Sequence, residues 1–239
     1  MPRAMTRTPI RRPLLVLAAA VLTGCGSSGS SSASPPSGGE ETRSATQVYD
    51  DFLTDMARER SVHVTGHQVD SAGTASDLDV VDTQDSASIT LSAAGQTLYL
   101  VVTPASVYAA QSRSGPWITA PTDLATNARS LTLASTVRCA RIEHGTLTKG
   151  AVSTVNGQRV IAVNDDGKAP GASSSTVYIS ASTPARLVRV VDHGAAAPGG
   201  RADCGHAVSA GSPSTSSASF DFGDWGGAVT VTPPPSGGV

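Results

Sequence analysis

The spacing of apolar residues near residue 50 predicts a helix. Val48, Phe52 and Met56 recur every four residues, so they fall on one face of a helix. Ser44 and Gln47 precede them with the spacing of a capping box, in which each residue satisfies a free backbone N–H at the helix start. The pattern therefore predicts a first helix that begins after Ser44.

From residue 61 the period changes to two, which is typical of half-buried strands. Residues 61–69 alternate in this way, and three more strand-like runs follow at 78–81, 88–91 and 98–102. The connections between these runs are short and contain Gly73 and Gly95. Short turns join antiparallel neighbours, so this part of the chain predicts an antiparallel meander.

The second half of the chain combines one helical segment with further strands. Pro121 suits the start of a helix, and Leu124, Ala128 and Leu131 follow it at helical spacing. Asn156-Gly157 lies between strand-like arms and is a strong signal for a hairpin turn. Further strands are predicted at 145–150, 176–180, 187–191, 219–222 and 229–232. The segment 194–217 is rich in Gly, Ala, Pro and Ser and is predicted to be a disordered-like, exposed loop.

The N-terminus has the pattern of an export signal. Four arginines lie within residues 1–12, and an apolar run of nine residues follows at 14–22. A basic segment before a short apolar run is typical of a secretory signal peptide. A membrane-spanning helix needs about 20 apolar residues, so this run is too short to be one.

The end of this apolar run, Leu22-Thr23-Gly24-Cys25, resembles the lipobox of bacterial lipoproteins. The resemblance implies that residues 1–24 are removed and that Cys25 receives a diacylglyceryl group, which anchors the protein to the outer face of the cytoplasmic membrane. Two acyl chains suffice for stable anchoring. Residues 25–43 then form a flexible Gly/Ser/Pro tether, and 44–235 form a single domain. The alternative is a secreted protein with a cysteine at its cleavage site.

Charge narrows the classes of partner. Without the four arginines of residues 1–24, 13 of the 17 basic residues remain against 19 acidic ones, which gives a net charge near −6. A negative chain repels phosphate groups, so we expect no nucleic-acid partner and no docking on anionic lipid headgroups. The sequence points to no particular protein partner.

The two remaining cysteines are Cys139 and Cys204. Disulfides persist in the oxidising environment outside the cytoplasm, so an even pair in an exported chain predicts a bridge between them. Two free thiols are the alternative.

The residues that often carry chemistry do not form a recognisable site. His63 and His67 share one strand face but lie about 13 Å apart, too far to bind one metal ion. The acidic series Asp77, Asp79, Asp82 and Asp85 lacks the spacing of a calcium loop, so we interpret it as a solvated strand and turn. No nucleophile elbow, phosphate loop or dinucleotide fingerprint is present, and we predict neither a metal, a cofactor nor an enzyme activity.

The order of elements resembles the LppX and LprG lipoproteins of actinobacteria, which share the fold of the LolA and LolB carriers. The pieces that match, over most of residues 44–235, are short. Besides the lipobox, tether and first helix, they are Gly95-Gln96-Thr97-Leu98-Tyr99, Gly115-Pro116-Trp117, Thr154-Val155-Asn156-Gly157-Gln158, Thr176-Val177-Tyr178-Ile179, Trp225 and Val229-Thr230-Val231-Thr232-Pro233-Pro234.

The resemblance implies an α+β fold: a curved antiparallel sheet, an open half-barrel, with an N-terminal helix and a short helical segment on its concave face. It also implies a hydrophobic cavity for an acyl lipid or glycolipid. The candidate lining residues are Val62, Val64, Ile89, Leu91, Leu98, Leu100, Leu124 and Leu131. The same side chains are equally suited to fill a solid core, in which case the domain is an interaction module that binds protein or cell-wall polymer.

Overall fold

A computed structural model describes residues 39–205 and 215–234 of the chain. The expected signal peptide, the lipidated Cys25 and the greater part of the expected tether lie outside these residues. The described residues form three α-helices and one sheet of eleven strands, with two short 3₁₀ segments at Glu40–Thr42 and Ala202–Cys204.

The bounds of the helices and strands follow the chain from the N-terminus. The helices are α1 (Ala45–Met56), α2 (Thr122–Ser130) and α3 (Leu133–Ile142). The strands are β1 (Ser61–Asp70), β2 (Ala75–Thr83), β3 (Ala87–Ala93), β4 (Gln96–Val102), β5 (Val107–Ala110), β6 (Ile118–Thr119), β7 (Leu147–Val155), β8 (Gln158–Asp166), β9 (Ser174–Ser180), β10 (Leu187–Asp192) and β11 (Thr215–Gly223).

The sheet is antiparallel and open, and two halves of the chain build it. The strand order is β6-β5-β4-β3-β2-β1-β11-β10-β9-β8-β7, so each half is a meander, and the last strand closes against the first. Within the described residues, the end strands β6 and β7 do not pair with each other. The result is the predicted α+β fold, a curved half-barrel with helices against one face.

Helix α1 starts as the sequence predicts. The Ser44 hydroxyl accepts a hydrogen bond from the Gln47 backbone N–H, and the Gln47 side chain accepts one from the Ser44 N–H. The predicted apolar face, which includes Val48, Phe52 and Met56, is buried against the concave side of the sheet. Packing of this face, more than helix propensity, stabilises a helix of twelve residues.

The helical cover between Pro121 and His144 is larger than the sequence analysis predicts. Helix α2 corresponds to the predicted segment, and α3 follows it after a break at Thr132. Leu133, Val137 and Ala140 give α3 an apolar face that packs in the core. Their helical spacing is visible in the sequence, but the β-branched residues around them lower the helix propensity and conceal it.

Two further predictions differ from the structure at strand level. Residues 229–232 are not a strand, although their apolar residues alternate; instead, Val231 is partly buried against the cluster of Val101, Ala110 and Trp117. Strand β11 begins at Thr215, three residues inside the predicted loop of 194–217. Strands β5 and β6 were not predicted, since each is too short to show a period.

The predicted bridge between Cys139 and Cys204 is present and links α3 to the second 3₁₀ segment. Arg138 reinforces this link, because its guanidinium contacts the Asp203 carboxylate at 2.8 Å and donates to the Asp203 carbonyl oxygen at 2.9 Å. The described beginning of the 194–217 loop is therefore fastened to the helical layer.

The last residues assigned to the tether are fixed to the sheet. The Lys149 ammonium of β7 donates to the backbone carbonyls of Glu40, Glu41 and Arg43, at 3.3, 2.5 and 2.6 Å. Arg159 of β8 also contacts the Glu41 carboxylate at two atoms. Residues 40–43, which the sequence assigns to the end of the tether, therefore contact strands β7 and β8.

Candidate functional site

A half-open hollow lies between the concave face of the sheet and the helices. Its volume is about 310 Å³, and eight of the eleven described residues that line it are apolar. We call it the main hollow. It is lined by Met56, Val64, Gln68, Leu78, Val80, Asp82, Leu91, Leu131, Thr136, Phe220 and Phe222.

Strand pairing explains why these side chains meet. In a strand every second residue points to the same face. Val64 lies opposite Val80 of β2 and opposite Phe222 of β11, and Leu78 lies opposite Leu91 of β3. Four adjacent strands therefore supply a continuous apolar wall.

The main hollow has an enclosed end and an open end. At the enclosed end, Val80 and Asp82 of β2 are 2% and 3% exposed. Leu78 and Ser76 lie on the same face of β2, two and four residues before Val80 and nearer the β1–β2 turn. Both residues are partly exposed. Leu91, Leu131 and Phe220 are partly exposed as well. Large apolar side chains that remain partly exposed around one concavity are typical of a binding site for an apolar ligand.

Three of the eight candidate residues, Val64, Leu91 and Leu131, line the main hollow. Three others, Val62, Ile89 and Leu100, are 1%, 2% and 5% exposed and belong to the closed core. The same side of the sheet therefore carries both kinds of position.

Leu98 and Leu124 are partly buried and pack at the edge of the core. Leu98 borders a separate groove of about 430 Å³ at the β3–β4 turn, which is lined by the polar residues Gln96, Thr97 and Gln111 as well as by apolar ones. Leu91 lies between this groove and the main hollow and lines both.

A second hollow of about 290 Å³ adjoins the main one. The two share Met56, Leu131, Thr136 and Phe222 as a partition. Methionine is unbranched and adapts its shape readily, so this partition is deformable. The second hollow extends under α1 towards β8, β9 and β10.

The side of the second hollow that lies at β8 is polar, and its polar groups form hydrogen bonds within the protein. Asp165 of β8 accepts hydrogen bonds from the backbone N–H groups of Gly145 and Gly167, at 2.9 and 2.8 Å. The Ser173 hydroxyl donates to Asp192 at 2.9 Å, and burial raises the pKa of the Asp192 carboxyl. These carboxyl groups therefore accept hydrogen bonds from the loops at this end of the sheet and hold those loops in place.

The interpretation of Asp82 as part of a solvated acidic strand is wrong, because its side chain is buried. Asp77 and Asp79 do face solvent, with side chains 75% and 60% exposed. Asp82 has the opposite parity along β2, so it shares the inner face with Leu78 and Val80. Burial raises the pKa of its carboxyl to about 8. Parity alone identifies this residue once the inner face of β2 is known.

The histidines of β1 lie on the convex face. His63 contacts Asp79 at 3.3 Å and Asp224 at 3.5 Å, and His67 contacts Asp77 at 2.8 Å. Among the described residues, no group of three or more His, Cys, Asp or Glu side chains is arranged to hold a metal ion. None of the described helices has the length and apolar character needed to cross a membrane.

This chain is similar to known proteins in its structure but matches none of them through a family model or a curated sequence. No model of a protein family matches the sequence, and no curated protein does. The crystal structure of LprF from Mycobacterium bovis is 19% identical and superposes with a TM-score of 0.47, over 80% of this chain and 96% of LprF. A LolA superfamily protein from Nitrosomonas europaea is 8% identical, with a TM-score of 0.29, over 77% of this chain and 93% of that protein.

Proposed function

We propose that this chain is a membrane-anchored lipoprotein of the cell envelope, which holds an aliphatic chain of an acyl lipid or glycolipid in the main hollow and catalyses no reaction. The observation that carries the proposal is the main hollow itself, an apolar space of about 310 Å³ between sheet and helices. The rival interaction module with a solid core has no need of such a space.

The size of the main hollow sets what it holds. Ligand sites span about 300–1,000 Å³, so this one is at the small end of the range. At about 30 Å³ for each water-sized group, it accommodates roughly ten methylene groups of one chain. Each buried methylene contributes about 0.8 kcal/mol, which is enough in total for useful affinity. A longer chain extends into the second hollow if Met56 moves.

The anchor and the location follow from the sequence. Lipid on Cys25 places the domain at the outer face of the cytoplasmic membrane, beside a source of acyl lipids. The proposed attachment uses acyl chains rather than surface charge, which agrees with a mature chain that is net negative.

Lipid carriage is tested on a form that is secreted without its own lipid. Thr23→Ala with Cys25→Ala converts the lipobox into a small-x-small cleavage pattern and removes the lipidated thiol. This form, which we call the secreted form, is produced in an actinobacterium and weighed by native mass spectrometry. A co-purifying lipid, identified after organic extraction, supports the proposal. If the protein has the mass of its ligand-free form, and added lipids do not change this mass, the result contradicts the proposal and favours the interaction module.

A pair of tryptophan variants locates the lipid. Leu78→Trp places a large ring in the main hollow, because Leu78 lines it. Val81→Trp places the same ring on the other face of the same strand. We expect the first variant to lose most of the bound lipid and the second to retain it. Equal loading of the two variants would mean that the lipid binds elsewhere.

A further inference from the structure

The enclosed end of the main hollow contains one buried carboxyl group. Asp82 is 3% exposed and lines the hollow. Its neighbours across the sheet are Val62 and Ala87, which are 1% and 0% exposed. A buried carboxyl group therefore lies at the bottom of a lining whose other residues, apart from Gln68 and Thr136, are apolar.

This carboxyl group lacks a full set of hydrogen bonds. Its Oδ1 is buried and has no hydrogen-bond partner within residues 39–205 and 215–234. Among the described residues that line the hollow, Thr136 has the one hydroxyl group, and it donates to the Ser130 carbonyl oxygen at 3.5 Å. A buried acceptor without a donor costs free energy, so a native structure tends to supply a donor, for example from a ligand.

We propose that the lipid held in the main hollow carries a hydroxyl group on its buried chain and that this hydroxyl group donates a hydrogen bond to Asp82. The inference rests on the proposed function and names the class of lipid. Asp82 then selects a hydroxylated chain over a plain one, while the apolar wall binds the methylene groups of either.

The chemistry of the wall favours a hydroxyl group over a charged one. An ammonium or carboxylate group would lose its hydration against eight apolar side chains. With a pKa of about 8, the Asp82 carboxyl is largely neutral at pH 7 and offers no full charge in return. A neutral carboxyl group has both a donor and an acceptor, and a hydroxyl group complements both.

Two water-soluble probes test this selection in the secreted form after its lipid has been removed. Dodecanoate and 12-hydroxydodecanoate have the same chain, and both keep their carboxylate at the open end. Their dissociation constants are measured by displacement of a neutral fluorescent naphthylamine. The quantity of interest is the preference ratio, the Kd of dodecanoate divided by the Kd of 12-hydroxydodecanoate.

We expect Asp82→Leu to lower the preference ratio about tenfold, because the hydroxyl group is then buried without a partner. Asp82→Val, which suits a strand, should give the same loss. Asp82→Asn retains an acceptor oxygen of the same shape, so it should keep much of the preference. Asp79→Leu, on the solvent face of the same strand, is the matched control and should keep the ratio of the unsubstituted protein.

The outcomes separate this inference from the proposed function. If both probes bind and the ratio is unchanged in Asp82→Leu and Asp82→Val, the hydroxyl inference fails and lipid binding stands. If neither probe displaces the dye, both fail. A lipid extracted from the secreted form whose chains carry no hydroxyl group would also overturn the inference.

Discussion

Gly66 of β1 and Phe220 of β11 lie opposite each other, and the Phe220 ring fills the space that a side chain at residue 66 would need. A Cβ atom on Gly66 would lie 2.2 Å from Cδ1 and 2.6 Å from Cε1 of the ring. The ring also lines the main hollow. Glycine at this position therefore lets the ring lie against the sheet and leaves the hollow open.

Gly66→Ala is expected to reduce both lipid loading and stability. The added methyl group pushes the Phe220 ring towards the main hollow, which shrinks a space of about 310 Å³. Forcing an extra carbon into a packed site costs about 1–3 kcal/mol. Native mass spectrometry of the secreted form measures the bound lipid, and urea unfolding measures the free energy of unfolding.

Gly223→Ala is the matched control, since a Cβ atom there meets nothing within 4 Å. It should leave both quantities nearly unchanged. Full lipid loading of Gly66→Ala would show that Phe220 does not determine the size of the hollow.

Local signals in the sequence predict much of the fold. Ser44 and Gln47 make the expected capping box, and Asn156 and Gly157 have the positive φ angles, 50° and 75°, that a tight hairpin turn requires. These signals depend on a few neighbouring residues. The prediction of a strand at 229–232 is wrong, because alternation shows only which side chains share a face. Val231 is packed against its neighbours without any strand pairing.

The site is harder to predict, because it depends on the space above the sheet. Val62 and Val64 have the same periodicity, yet Val62 is in the closed core and Val64 lines the main hollow. The difference comes from where Met56, Leu131 and Thr136 lie over the strands. Those positions result from the packing of three helices, which no local pattern in the sequence encodes.

Asp82→Asn should stabilise the protein increasingly as the pH rises from about 4 to about 8. Burial raises the pKa of the Asp82 carboxyl from 3.8 to about 8, so the folded state holds this proton more tightly than the unfolded state. The stability that this group contributes is fully present below pH 3.8 and is lost as the pH rises through the folded-state pKa. Between pH 4 and pH 8 the free energy of unfolding of the unsubstituted protein therefore falls by about 1.4 kcal/mol for each pH unit relative to that of Asp82→Asn.

The measurement is urea unfolding of the ligand-free secreted form, with and without Asp82→Asn, from pH 4 to pH 8.5. The difference in the free energy of unfolding should grow across the window and level off above pH 8. Asp85→Asn, at an exposed position after the end of β2, is the matched control. A difference that stays constant with pH would mean that Asp82 is ionised in the folded protein throughout.

Replacing both Cys139 and Cys204 by serine should lower the stability without abolishing the fold. The bridge closes a loop with a sequence separation of 65 residues, so its loss costs about 4 kcal/mol in the chain-entropy model. The contacts of Arg138 with Asp203 remain but are largely exposed and contribute little. Thermal unfolding followed by circular dichroism should show a lower Tm for the variant. Reductant should lower the Tm of the unsubstituted protein to the same value and leave that of the variant unchanged.

Thr23→Ala with Cys25→Ala should release the protein from the cell. The two acyl chains expected on Cys25 are the proposed attachment, and the new small-x-small pattern still allows the signal peptide to be removed. The measurement is an immunoblot of the membrane fraction and the culture medium, with the N-terminus of the released chain determined by mass spectrometry. Thr23→Ala alone keeps the cysteine and a small residue before it, so this control should stay with the membrane and gain the mass of a diacylglyceryl group. If the double variant remains in the membrane fraction after its signal peptide has been cleaved, the attachment does not depend on lipid at Cys25.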